Sequence, residues 1–376
     1  MARALDDATV LIIGLGDLGS RVLDAVVRLP VGRVIAAGRD ERHARGVAGQ
    51  GALVAALSGG ARRVQPLSLD LDDVEATARA LADVDPAVIV TAASRHTWWR
   101  IRPELAAVPY GAWLSMHVPL VRSLMQARNS GASTAKVVCL PYPDAVGPVL
   151  AGAGLAPDVG AGNVLEMAVK LAVLAASDAR VDRADVRVRL VAHHATERYA
   201  FPAFKSLGSP DAPIGRPPVR VEVTVRDEPL SAPAVRALFA AAYPLAGGRE
   251  THQLTAAATF ATVSALLSDQ PRQIHVPAPD GRAGGYPVRL SESGIELDLS
   301  PELSESDAQA VNAVAARWDG IERITEDGTA EFTAWATDSL RTALGIRLER
   351  VAVDEHAAVA DELAARLEAM GRQAPG

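Results

Sequence analysis

Over the first 145 residues, short dense apolar runs alternate with longer segments in which apolar positions recur at helical spacing. Val10 to Ile13 are unbroken apolar, long enough for a buried strand and too short for a helix. A glycine-rich turn follows, and then DLGSRVLDAVVRL, whose apolar residues fall on one helical face. The same alternation continues. RVIAAGRD reads as a strand, DERHARGVAGQGALVAALSGG as a helix with a loose end, and RRVQPLSLDLDD as a strand and turn. VEATARALADV reads as a helix, PAVIVTAAS as a strand, PLVRSLMQARNSG as a helix and AKVVCL as a strand. Continuous apolar runs mark strands buried on both faces, which is what parallel strands joined by crossover helices require. The pattern predicts an α/β fold with a doubly wound parallel sheet over residues 1–145, followed by a second domain over 146–376.

The first turn carries chemistry. Gly14, Gly16 and Gly19 make G-x-G-x-x-G between a strand and a helix. The first glycine permits the tight turn, the second lets a pyrophosphate approach the backbone, and the third lets the helix pack on the strand. Gly14, Leu15, Gly16, Asp17, Leu18 and Gly19 are therefore expected to bind a dinucleotide in a Rossmann-type domain. In such domains the second strand ordinarily ends in an acid that binds the ribose 2′-hydroxyl of NAD. Here Gly38 stands at that end, followed by Arg39 and Asp40. A guanidinium with no carboxylate at the strand end favours the 2′-phosphate of NADP. NAD stays possible, because Arg39 would also stack on adenine and Asp40 could swing in.

Composition narrows the class. The chain has 376 residues, 49% of them apolar, with a formal charge of −7 and no basic block. That argues against a nucleic-acid partner. No run approaches the roughly 18 uninterrupted apolar residues of a membrane span. Acidic residues precede the first apolar run, so it reads as a strand and not as a secretory leader. The single cysteine, Cys139, allows no intrachain disulfide and no thiolate metal cluster. The expectation is a cytoplasmic enzyme for a small molecule, with no metal and no membrane partner.

The chain has 8 histidines, and two stand together in RLVAHHATERYAFPAF, where an apolar strand ends. Imidazole titrates near neutrality, so His193 and His194 are candidates for acid-base work; the alternative is that they cap a strand.

The order of motifs resembles that of the lactate/malate dehydrogenase superfamily over nearly the whole chain. VVCLPYPDAVGPVLAGAGL is similar to the family's strand, N-P-x-D turn and helix, and VGAGNVLEMAVKL to its G-x-x-L-D-x-x-R helix. AVIVTAASR resembles the strand leading into the mobile substrate loop, and VAHHATERY the strand end with the catalytic histidine, His194 lying five residues before Tyr199. The resemblance implies an α+β C-terminal domain of lactate/malate dehydrogenase type and NAD(P)-dependent interconversion of a secondary alcohol and a ketone. It implies His194 as the acid-base, with His193 if the register slips by one. It places Thr91, Ala92 and Ala93 at the cofactor, Arg95, Trp98, Arg100 and Arg102 in a substrate loop, and Thr251 on the substrate side. It also implies a homodimer or higher homo-oligomer, for which SAPAVRALFAAA is a candidate surface helix.

The chain departs from the family pattern at three places. The acid that orients the histidine falls at Leu165–Glu166, so Glu166 is the expected partner of His194. Glu166 and Lys170 are also spaced i, i+4, the pattern of an ordinary surface pair. Val169 stands where an arginine would clamp a substrate carboxylate, and Pro141 or Tyr142 where the asparagine would stand. Lactate and malate are therefore poor candidates. The tryptophans of the loop, Trp98, Trp99 and Trp113, suggest a bulky apolar substrate, or else packing of the loop on its domain. Alternatives are an opine-type imine reductase, a glycosidase with a transient oxidation step, and a cofactor-binding protein with a decayed site.

Overall fold

The computed structural model describes residues 5–96, 105–201 and 215–373. Its first part follows the predicted alternation: β1 (Thr9–Ile13), α1 (Asp17–Val26), β2 (Arg33–Gly38), α2 (Glu41–Ser58), β3 (Arg63–Ser68), α3 (Val74–Val84), β4 (Val88–Thr91), α4 (Val118–Ser130), β5 (Lys136–Cys139), α5 (Pro143–Ala151) and β6 (Val159–Gly160). These strands form one six-stranded parallel sheet in the order β3-β2-β1-β4-β5-β6. β1 is central, with Leu11 level with Ile35 on one side and Ile89 on the other. The sixth strand lies beyond residue 145, so the parallel sheet runs further along the chain than the 145/146 division that the pattern suggests.

The reason for the unbroken run Val10–Ile13 is visible in the packing. Leu11 and Ile13 face a core that also holds Val121, Leu124 and Met125 of α4. Val10 and Ile12 face the opposite core, with Val22, Leu23 and Val26 of α1. Both faces of the strand are dry, so no polar alternation survives.

The rest of the chain is α+β. α6 (Asn163–Ala179) leads to β7 (Val186–Val191), α7 (Glu197–Ala200), β8 (Arg220–Val225), β9 (Glu228–Pro229), α8 (Ala232–Ala240) and α9 (His252–Leu266). Then come β10 (Arg272–Pro277), β11 (Gly285–Ser291), β12 (Gly294–Leu297) and α10 (Glu305–Ala315). β13 (Ile321–Ile324), β14 (Ala330–Phe332), α11 (Ala334–Leu344), β15 (Arg350–Val351) and α12 (His356–Gln373) close the chain. The antiparallel sheets are β7-β8-β9, β10-β11-β12 and β13-β14-β15.

Two packing relations position the site. α9 lies along α1, behind the glycine turn. The segment after α10 folds back onto the parallel sheet, so Leu340, Leu344 and Leu363 share one core with Leu11 and Ile89. That return brings Ala316–Gly320 against the end of β7. Trp113 is a core residue, 2% exposed, and serves packing and not a substrate loop.

Candidate active site

The glycine turn is shaped by close approach. Gly14 has φ +90, and a Cβ there would stand 2.7 Å from the Ala93 nitrogen. A Cβ on Gly19 would meet the Gly14 carbonyl oxygen at 1.7 Å, so α1 packs against the turn only as glycine. Gly16, the N-cap of α1, has nothing within 4 Å of a built Cβ. The free space thus lies at the helix N-terminus, where backbone N–H groups favour a phosphate. These residues fit a dinucleotide. Leu15 is buried, and its carbonyl oxygen accepts from the His43 ring at 2.8 Å. Leu18 and Ala92 reach the adjoining cavity, while the Ala93 N–H donates to the Thr91 hydroxyl. Arg39 is exposed beyond Gly38, and Asp40 caps α2 by accepting the His43 N–H at 2.9 Å.

The cavity, about 150 Å³, opens beside this turn at the C-terminal end of the sheet. His194 lines it, one fifth exposed. β7 ends at Val191, and a single turn of 3-10 helix at His194–Thr196 separates the two histidines' roles. His193 is 1% exposed, and its Nδ1 accepts the Ala195 N–H at 3.2 Å, capping the turn. Burial holds it below the ordinary imidazole range, hence neutral.

His194 is held from three sides. Its Nδ1 donates to Asp319 Oδ2 at 2.7 Å. Its backbone N–H donates to Asp144 Oδ1 at 2.9 Å, and the other oxygen of Asp144 accepts from Asn163 at 3.0 Å. Its ring stacks on Tyr110 at 4.6 Å between centroids, with Tyr142 edge-on at 5.2 Å. Tyr142 has φ +44, a left-handed conformation costing roughly 1–2 kcal/mol in a non-glycine residue. That conformation accompanies a hydroxyl that donates to the same Asp319 oxygen at 2.9 Å. Burial opposes charge on His194, but the fully buried Asp319 carboxylate outweighs it and lifts the imidazole to about 9. Burial likewise opposes charge on Asp319, and His194 outweighs it, drawing the acid down to about 2. The pair is an imidazolium–carboxylate over the neutral range, with Nδ1 fixed as a donor and Nε2 left for a reacting oxygen.

Glu166 is not the carboxylate on this ring. It is 8% exposed and accepts from the Thr255 hydroxyl at 3.0 Å. Its second neighbour is the Glu197 carboxyl, with which it hydrogen-bonds. Burial pushes both acids up, Glu166 further through the charge of Glu197, and Glu197 to about 7 with Asp144 and Asp319 adding to burial against the pull of His194. Nor does Glu166 pair with Lys170. One helical turn on, the Lys170 ammonium donates to the carbonyls of Ala200 (2.7 Å) and Phe239 (2.9 Å).

The remaining expected residues divide. Thr251 lines the cavity and donates to the Gly248 carbonyl at 2.7 Å. Arg95 pairs with Asp72 at 2.6 Å and is not part of the cavity wall. Trp98, Arg100 and Arg102 lie outside the described residues. Sequence reasoning missed Asp319, Asp144, Tyr110, Tyr142, Asn163 and Glu197. It also missed His252, in the same wall, whose Nδ1 lies 2.7 Å from Asp17 and ties α9 to the glycine turn. Among the described residues no three His, Cys, Asp or Glu side chains are arranged to hold a metal ion.

No family model and no curated protein matches the chain. Solved structures do. A malate dehydrogenase from Salinibacter ruber covers 83% of this chain and 95% of its own length at 17% identity, with a TM-score of 0.52. A malate dehydrogenase from Picrophilus torridus covers 96% and 99% at 14% identity, TM-score 0.54. A lactate dehydrogenase from a Medee basin deep-sea metagenome covers 83% and 96%, also at 14% and 0.54. The chain has the fold of the malate and lactate dehydrogenases. Within that fold, His194 lies just beyond the end of β7, and the carboxylate on its ring comes from Asp319.

Proposed function

We propose that the protein is an NAD(P)-dependent oxidoreductase that interconverts a secondary alcohol and a ketone, with residues 1–145 as the cofactor unit and 146–376 as the substrate unit. One observation carries this reading: an imidazole with a carboxylate on Nδ1 lines a cavity beside a glycine turn that is open at a helix N-terminus. When bound, the nicotinamide would accept or supply the hydride. The protein's part is the proton. In ketone reduction, His194 gives the Nε2 proton to the carbonyl oxygen, and in oxidation it takes the hydroxyl proton. Asp319 fixes the tautomer and stabilises the imidazolium, as a buried acid does behind an acid-base histidine. Incubation with either reduced cofactor and a panel of ketones tests the reading; bound cofactor that no carbonyl compound oxidises would indicate a binding protein instead.

Arg39 supports a preference for NADP. With Asp40 engaged as a helix cap, the exposed Arg39, next in sequence after the end of β2, is available to a 2′-phosphate. NADPH is expected to bind about tenfold more tightly than NADH, the worth of one charge-assisted contact of about 1.5 kcal/mol. Titration of both cofactors by fluorescence, repeated on Arg39→Ala, checks this. NADH binding more tightly to the parent protein contradicts it.

The proposed assembly is a cytoplasmic homodimer. Among the described residues no helix is long and apolar enough to cross a membrane. α8, the helix suggested by sequence, turns Val235 and Leu238 into its own fold. α2 instead leaves Leu53 and Leu57, one turn apart, 68% and 90% exposed. Exposed leucines in a stripe favour a self-contact. Light scattering should report twice the 39.3 kDa chain mass, and Leu57→Asp should lower it. A monomer at micromolar concentration would refute this.

A further inference from the structure

The cavity around His194 has carboxyl groups in its wall, and Val169, where the sequence resemblance would put a cation, does not line it. Glu166 and Glu197 form a hydrogen-bonded carboxyl pair in its wall, and both act electrostatically on His194. Among the described residues neither is paired with a lysine or arginine, the lysine on the same helix being committed to Ala200 and Phe239; the positive charge that reaches them is that of His194. Among the described residues no lysine or arginine lines the cavity. A second observation points the same way. His117, 5% exposed, lines the cavity, and among the described residues its Nδ1 has no hydrogen-bond partner. Burial, with His96 and His194 nearby, pulls His117 down to about 3, so the ring is neutral and offers a lone pair. A buried polar atom without a partner is the mark of a missing hydrogen-bonding group, and an ammonium is one that a neutral imidazole can accept from.

We infer that the Glu166–Glu197 pair is the specificity element of the site, and that it takes the protonated amine of a small amino alcohol or amino ketone. The inference rests on the dehydrogenase reading for the role of His194. A primary ammonium brings three N–H donors and one positive charge, against which both carboxyls of a pair that otherwise has to share a proton can ionise. A substrate carboxylate would add a third acid to that pair and, among the described residues, find no lysine or arginine clamp in the cavity wall. Glu166 therefore acts on substrate choice, and the imidazole's tautomer is set by Asp319.

The test uses the full chain with oxidised cofactor and three alcohols on one carbon skeleton: 1-amino-2-propanol, 1,2-propanediol and lactate. Binding is read by calorimetry and turnover by cofactor absorbance. The amine is expected to bind about tenfold more tightly than the diol, with lactate weakest, a margin of about 1.4 kcal/mol. Glu166→Gln and Glu197→Gln, separately and together, should collapse the amine-to-diol ratio; melting curves establish that each variant folds. Turnover of all three with no preference for the amine overturns the inference and leaves the dehydrogenase standing. Selective binding of the amine with no cofactor reduction does the reverse. A preference for lactate, no binding of any probe, or an amine preference that survives in the folded variants also overturns it.

Discussion

His194→Asn is expected to lower ketone reduction by about 10²–10⁴-fold, the usual worth of a positioned acid-base group. The loss should fall on the chemical step. Cofactor affinity should be untouched, because the glycine turn is built from β1, α1 and the end of β4, and none of its tight contacts involves His194. His193→Asn should cost far less in rate. That residue is sealed from the cavity, and its task is to accept the Ala195 N–H, which an asparagine oxygen also does well. Single-turnover reduction with saturating cofactor, alongside a binding titration, separates the effects. Equal damage from both histidines, or a binding loss that accounts for the rate loss, would show that His194 is structural.

The fold was legible because its signals are local. The run Val10–Ile13 is apolar at every position since both faces of β1 are covered, and the glycines that follow leave no room for a Cβ at positions 14 and 19. The histidine that lines the cavity was legible as one of a pair. Which of the two depends on a single turn of 3-10 helix after β7, which apolar periodicity does not encode. The orienting acid was not legible at all. Asp319 lies 125 residues from His194 and meets it only because the segment after α10 returns to the parallel sheet. Nothing in ARWDGIE marks that return. Glu166 attracted attention for a sound reason, an acid in a nearly apolar helix that needs a partner. Its partners proved to be Thr255 and Glu197. The helical spacing that suggested a Glu166–Lys170 pair was misleading because α6 is buried, and a buried ammonium seeks carbonyls at its own end. The residues at positions 165–169, which depart from the motif that the sequence resembles, thus belong to a different set of contacts, Thr255 and Glu197 for Glu166 and backbone carbonyls for Lys170.

Asp319→Asn should move the pH dependence of catalysis downward. Removing the carboxylate withdraws the charge that outweighs burial, so the imidazole falls from about 9 toward or below its ordinary 6.5. Ketone reduction needs the protonated ring. Its alkaline limb, near pH 9 in the parent, should therefore appear at least two units lower, with a lower plateau from tautomer freedom. Alcohol oxidation needs the neutral ring, and its rise should shift the same way. Stability follows the same pair. His194 is raised on folding, so its contribution is complete below about pH 6.5 and fades as pH rises through about 9. Asp319 is depressed on folding, so its contribution is present above about pH 4 and is lost as pH falls through about 2. The variant's loss, about 3–5 kcal/mol for a broken buried pair, should be largest between about pH 4 and 6.5 and should shrink toward pH 9 and above. Paired pH–rate profiles and melting curves measure both. A reduction limb that stays at pH 9 in Asp319→Asn would mean that another group sets the charge of His194. A stability difference that grows toward alkaline pH would mean that the pair is not the ionised one described.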